Sequence, residues 1–107
     1  MGVSVGLGFS MRARKDLLDI ARYIARDNPQ CASTFVIDLR LQCVLLSKQS
    51  GLGAIRTDLA DNLRMLPYGR YLIFFSENEF GILVERVLHS ARNLSSLFNN
   101  PSDFPLR

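Results

Sequence analysis

The sequence predicts an α+β fold: an N-terminal strand, an αα-hairpin packed on a small antiparallel sheet, and a short C-terminal helix, in the order β-α-α-β-β-β-α. Three observations predict it. Residues 3–9 alternate between apolar and small side chains, two stretches of helical periodicity meet at Asn28-Pro29, and short apolar runs beyond residue 51 are punctuated by turn residues. A length of 107 residues fits one domain, taken as 1–107.

Val3, Val5, Leu7 and Phe9 point one way along the first strand, with Ser4, Gly6, Gly8 and Ser10 opposite. Ser10 is placed to cap a helix from Met11 to about Asp27, whose apolar stripe is Leu17, Ile20, Ala21 and Ile24, widened by Leu18 and Ala25. Arg12, Arg14 and Lys15 crowd its first turn, where the helix dipole disfavours cations. They form either a solvated surface turn or a basic edge held for an acidic partner. Asn28 then caps a second helix with Pro29 at its first position, running to about Ser47. Ala32, Phe35, Val36, Leu39, Cys43 and Leu46 form one stripe of it. Ile37, Leu41, Val44 and Leu45 form a second, so burial on more than one side is expected.

Gln49 to Gly53 reads as a loop, followed by a short strand or 3₁₀ turn containing Ile55 and Leu59. Leu63–Leu66 reads as a strand, Pro67-Tyr68-Gly69 as a turn, and Arg70–Ser76 as a central strand apolar on both faces. Glu77-Asn78-Glu79 turns the chain into a last strand, Gly81–His89. There Ile82, Val84, Arg86 and Leu88 are expected on one face, with Leu83, Glu85, Val87 and His89 on the other. Ala91–Asn99 reads as a closing helix carrying Leu94, Leu97 and Phe98. The first or the last strand is expected at the sheet edge.

A composition 48% hydrophobic and 21% charged excludes disordered, collagen-like and disulfide-scaffold classes. No apolar run approaches a membrane span, and the N-terminus lacks the pattern of a secretion signal. Cys31 and Cys43 lie twelve positions apart on one expected helix, about 18 Å at the standard rise, too far for a disulfide. They are expected as reduced core thiols of a cytoplasmic protein. Eleven arginines stand against two lysines, and the net charge of +3 arises entirely within the first fifty residues. That balance favours recognition of protein carboxylates over a nucleic-acid groove.

Several strings occur in a fixed order. They are Ala13-x-x-Asp16-Leu17-x-x-Ile20-x-x-Tyr23-Ile24, Asn28-Pro29 leading to Ala32 and Phe35, Gly53 with Arg56-x-x-Leu59, Leu63-Arg64-x-x-Pro67-x-Gly69-Arg70-Tyr71-Leu72-Ile73-Phe74, and Arg86-Val87-Leu88-His89-x-Ala91-Arg92-x-Leu94. Together they resemble the RelE/ParE superfamily of toxins from bacterial type II toxin–antitoxin systems, and more narrowly its ParE branch. The chain departs from that branch at Asn93, where an acidic residue usually follows Arg92.

The resemblance implies one of two activities. ParE-like members inhibit DNA gyrase, which stops replication. For that mode Arg64, Arg70, Arg86 and Arg92, with Leu94, Leu97 and Phe98, are the expected target-binding residues. RelE-like members are ribosome-dependent mRNA endonucleases. Cleavage at a 2′-OH needs a base, an acid and cations for the phosphorane, and His89, Glu85, Arg64 and Arg86 are the candidate set. The chain lacks the His-Tyr or Tyr-x-x pairing usual near the C-terminus of those nucleases, which leaves gyrase inhibition the first expectation. Loss of activity with retention of antitoxin binding is a third. Each mode implies a cognate ParD-like antitoxin, with Tyr23, Phe35, Tyr71, Phe75 and Arg86 as expected contacts, and neither a cofactor nor a metal. Arg86, on an otherwise apolar face, needs a carboxylate, either internal (Asp58 or Asp61) or from the partner.

Overall fold

Ser10 turns the chain from strand into helix. Its Oγ accepts from the Ala13 N–H at 3.0 Å and donates to the Glu85 carbonyl at 2.8 Å, so one hydroxyl caps the helix and ties it to the sheet. The computed structural model describes residues 6–79 and 81–91. The elements are β1 (Leu7–Phe9), α1 (Met11–Ala25), α2 (Pro29–Lys48), a 3₁₀ turn (Ser50–Leu52), β2 (Ala54–Ile55), β3 (Leu63–Tyr68), β4 (Tyr71–Asn78) and β5 (Gly81–His89). Asn28 caps α2, its Oδ1 accepting from the Cys31 N–H at 3.1 Å, with Pro29 in the first turn. Val3 to Val5 of the expected first strand, and the expected closing helix beyond Ala91, lie outside the described residues.

The five strands run β1-β5-β4-β3-β2 with the αα-hairpin against one face, an α+β architecture. All neighbours are antiparallel except β1, which runs parallel to β5 and makes the sheet mixed rather than purely antiparallel. Among the described residues the edges are therefore β1 and β2. Of the two strands expected as candidates for the edge, the first holds it and the last is interior, flanked by β1 and β4. The glycines around β1 have a physical role here. Gly81 opens β5 at φ +136°, and a Cβ there would collide with the carbonyl of Gly6, which accepts from the Ile82 N–H at 2.7 Å.

The turns are tighter than expected. β3 continues through Pro67 and Tyr68, and Tyr68 pairs with Tyr71 across a two-residue turn, Gly69-Arg70. Gly69 has φ +59°, the conformation a type II′ hairpin needs at its first central position. β4 likewise extends to Asn78, paired with Gly81.

Ala13, Leu39, Cys43 and Leu46 of the helices meet Ile73, Phe75, Ile82, Val84 and Val87 of the sheet in the main core. Leu63, Phe74 and Leu88 form a second cluster, covered among the described residues by Leu59, Ala60, Met65 and Leu72. This two-sided burial is what the continuous apolar run of β4 demands. A β-bulge changes the alternation expected in β5. Phe74 pairs with Arg86 and Phe75 with Val84, leaving Glu85 as the extra residue. Ile82, Val84 and Val87 consequently join the main core while Leu88 joins the other, where strict period two would have kept Ile82, Val84 and Leu88 together.

Two further expectations are corrected. The second stripe of α2 is exposed, with Ile37 and Leu41 about three-fifths accessible and Val44 and Leu45 about two-fifths, because a two-helix layer covers the sheet with one stripe of each helix. Of the two free cysteines only Cys43 is in the core; Cys31, in the first turn of α2, is exposed.

Candidate functional site

A cleft of about 390 Å³ opens between α1 and the end of the sheet where β4 begins and β5 finishes. Its walls are built by register. Tyr71 pairs with His89, and the Ser90 N–H donates to the Arg70 carbonyl at 2.9 Å, so Arg70, Tyr71 and His89 are held side by side. Asp16, Asp19, Ile20 and Tyr23 of α1, at helical spacing, supply the opposite wall.

Asp16, which lines the cleft, is held in an ion pair. Arg86 donates from Nε to Asp16 Oδ2 at 2.9 Å and from Nη2 to Asp16 Oδ1 at 3.1 Å, and the Val87 N–H donates to the same Oδ2 at 3.0 Å. The side chains are 7% and 13% exposed, so this fork joins helix to sheet in a desolvated setting. The carboxylate that Arg86 requires is thus internal, but it is Asp16, not Asp58 or Asp61. Asp58 instead takes a two-pronged contact from Arg56, which holds its carboxyl below the usual carboxylate range.

An aromatic column runs from the cleft into the core. The His89 ring meets Tyr71 edge-on at 5.3 Å, Tyr71 meets Phe35 of α2 at 5.1 Å, and Phe35 meets Tyr68 at 5.9 Å. His89 Nδ1 accepts from the Ala91 N–H at 3.1 Å, which places the proton of the neutral ring on Nε2. Behind the column, burial pushes the Cys43 thiol up to about 12, and burial, followed by the charge of Asp38, raises Tyr68.

The expected residues separate into three groups. His89, Arg70, Tyr71 and Tyr23 share the cleft, with Tyr23 68% exposed. Arg86 and Phe75 are buried, so neither offers a surface to a partner in this conformation, and Phe35 is half-buried within the column. Arg64 lies on β3 and donates from Nη1 to the Gly53 carbonyl at 3.2 Å, while Glu85 is the buried bulge residue; neither lines the cleft. The candidate nuclease set is therefore dispersed, with Arg86 committed to Asp16. Arg92, Leu94, Leu97 and Phe98 lie outside the described residues.

Asp16, which anchors the site, stands in the sequence as a position of the first resemblance string but with no site role expected of it. The available signal was its helical spacing from Ala13 and Ile20, which puts a carboxylate beside the buried stripe, opposite an arginine that needed one.

A second depression, apolar and shallow, lies on the outer side of the hairpin between Ala21 and Ala25 of α1 and Ala32, Val36 and Ile37 of α2. No helix among the described residues is long and apolar enough to cross a membrane. No curated protein matches the chain. The family model for the ParE toxin of type II toxin–antitoxin system, parDE, matches residues 7–94. That span runs from β1 through β5 and includes every wall of the cleft, and the chain belongs to the ParE toxin family of type II toxin–antitoxin systems.

Proposed function

We propose that this toxin acts in the cytoplasm by binding DNA gyrase and blocking replication, and that a ParD-like antitoxin silences it by covering its surface. The observation that carries the choice of gyrase over mRNA is the dispersal of the nuclease set. Arg86 is committed to Asp16, Glu85 is buried in the bulge and Arg64 donates to the Gly53 carbonyl. Of the residues expected to serve phosphodiester cleavage with His89, none of these three reaches it, and Arg70 is the one arginine beside it in the cleft. A protein that acts by binding needs no such set.

Antitoxin capture suits the exposed apolar residues of the hairpin. Ile37, Leu41, Val44 and Leu45 recur on one side of α2 next to the groove between the helices, and an amphipathic antitoxin helix would bury them. The open edge of β1 or β2 could take an added strand. Gyrase contact is assigned to Arg70, exposed at the β3–β4 turn, together with Arg92, Leu94, Leu97 and Phe98, which follow β5 in the sequence.

The choice is tested in cells and in a translation extract. Growth arrest by the chain should leave mRNA uncut in the extract, and His89→Gln should arrest growth as fully as the parent chain. Codon-phased mRNA cuts that disappear in His89→Gln would establish the nuclease reading instead.

A further inference from the structure

The charges in the cleft do not balance locally. Its two carboxylates already have cations, Asp16 from Arg86 and Asp19 from Lys15 at 2.9 Å. Among the described residues, the guanidinium of Arg70 has no ion-pair or hydrogen-bond partner, nor do His89 Nε2 or the hydroxyls of Tyr23 and Tyr71. The cleft thus presents a donor fork, a ring N–H and two phenols around a wall of Ile20 and Leu88, all within one concavity.

We propose that this cleft receives a single carboxylate next to an apolar side chain, supplied by a peptide segment of the antitoxin. The carboxylate docks on Arg70 and His89 Nε2, and its apolar neighbour lies against Tyr23 and Ile20. The inference rests on the toxin–antitoxin assignment and names a contact within it. Arg70 matches one carboxylate bidentately. A nucleic-acid backbone fits less well, because its successive phosphates would approach Asp16 and Asp19 with only one unpaired cation to receive them. The half-exposed aromatic wall supplies the desolvation that makes one charge-assisted contact count in affinity.

The test uses full-length ¹⁵N-labelled chain and two matched probes, N-acetylphenylalanine and its amide, with adenosine monophosphate as a third. The acid should shift the amide signals of Tyr23, Arg70, Tyr71 and His89. The neutral amide, and Arg70→Gln titrated with the acid, should each bind about tenfold more weakly. In the toxin–antitoxin complex, Arg70→Gln should speed antitoxin release by about the same factor, while Glu79→Gln, at an exposed charged residue beyond the opposite end of β4, should not. Equal binding of acid and amide, shifts elsewhere, no shifts, or tighter binding of the nucleotide than the acid would each overturn the proposal. So would an unchanged release rate in Arg70→Gln. A complex that never forms would instead contradict the antitoxin assignment, so the two failures are separable.

Discussion

Arg86 illustrates how an arginine that reads as a surface contact becomes a structural one. Its fork to Asp16 is desolvated, so removing either partner strands a buried charge. Asp16→Asn and Arg86→Met should each cost about 3–5 kcal/mol in urea denaturation, and the double substitution should recover a substantial part of that loss. A toxicity defect in Arg86→Met that tracks lost folding, rather than lost gyrase affinity, would follow. Cys43 offers a second test. Its thiol is raised from 9.0 to about 12, so the folded state keeps a proton that the unfolded chain gives up. Stability from this group is complete below pH 9 and declines as pH climbs toward about 12, by on the order of 4 kcal/mol in all. Cys43→Ala should show a flatter decline of denaturation midpoint across that window. In the native parent chain an aqueous thiol reagent should modify Cys31 and spare Cys43.

At the scale of elements, both helix starts were legible because a cap is a local event: Ser10 before Met11 and Asn28-Pro29 need no tertiary context. Ser10→Ala should cost about 2 kcal/mol of thermal or urea stability, at the high end for a cap, since the same hydroxyl also bonds the Glu85 carbonyl. The bulge at Glu85 was not legible. An extra residue leaves no mark in an apolar run whose both faces are buried, and it moved Leu88 across the sheet from where alternation put it. The partner of Arg86 was hidden for a related reason: 70 positions separate it from Asp16, and pairing across that distance depends on topology. Parallel pairing of β1 with β5 is also nonlocal and was not legible: the sequence suggested an antiparallel sheet, and the glycines find their reason only where Gly6 meets Gly81. Gly81→Ala should lower thermal stability by about 1–3 kcal/mol, because its φ of +136° and the Gly6 carbonyl both exclude a Cβ.

For the whole molecule, the surplus of positive charge lies on the helical hairpin, as the distribution along the chain indicated, and the same hairpin carries the exposed apolar stripe of α2. A surface both basic and apolar is suited to an acidic, amphipathic protein partner. Leu41→Lys should raise the solubility of the isolated toxin and weaken its antitoxin complex, by about 1–2 kcal/mol in calorimetric titration. The sheet end, by contrast, holds the cleft, and the placement of Glu85, Arg64 and Arg86 away from His89 favours binding over phosphodiester chemistry. That claim is tested most directly by incubating the purified chain with DNA gyrase and supercoiled plasmid. Cleaved plasmid trapped with gyrase should accumulate as toxin is added and vanish when the antitoxin is supplied. Unimpaired supercoiling with no trapped cleavage, at toxin levels that stop a translation extract, would contradict the account.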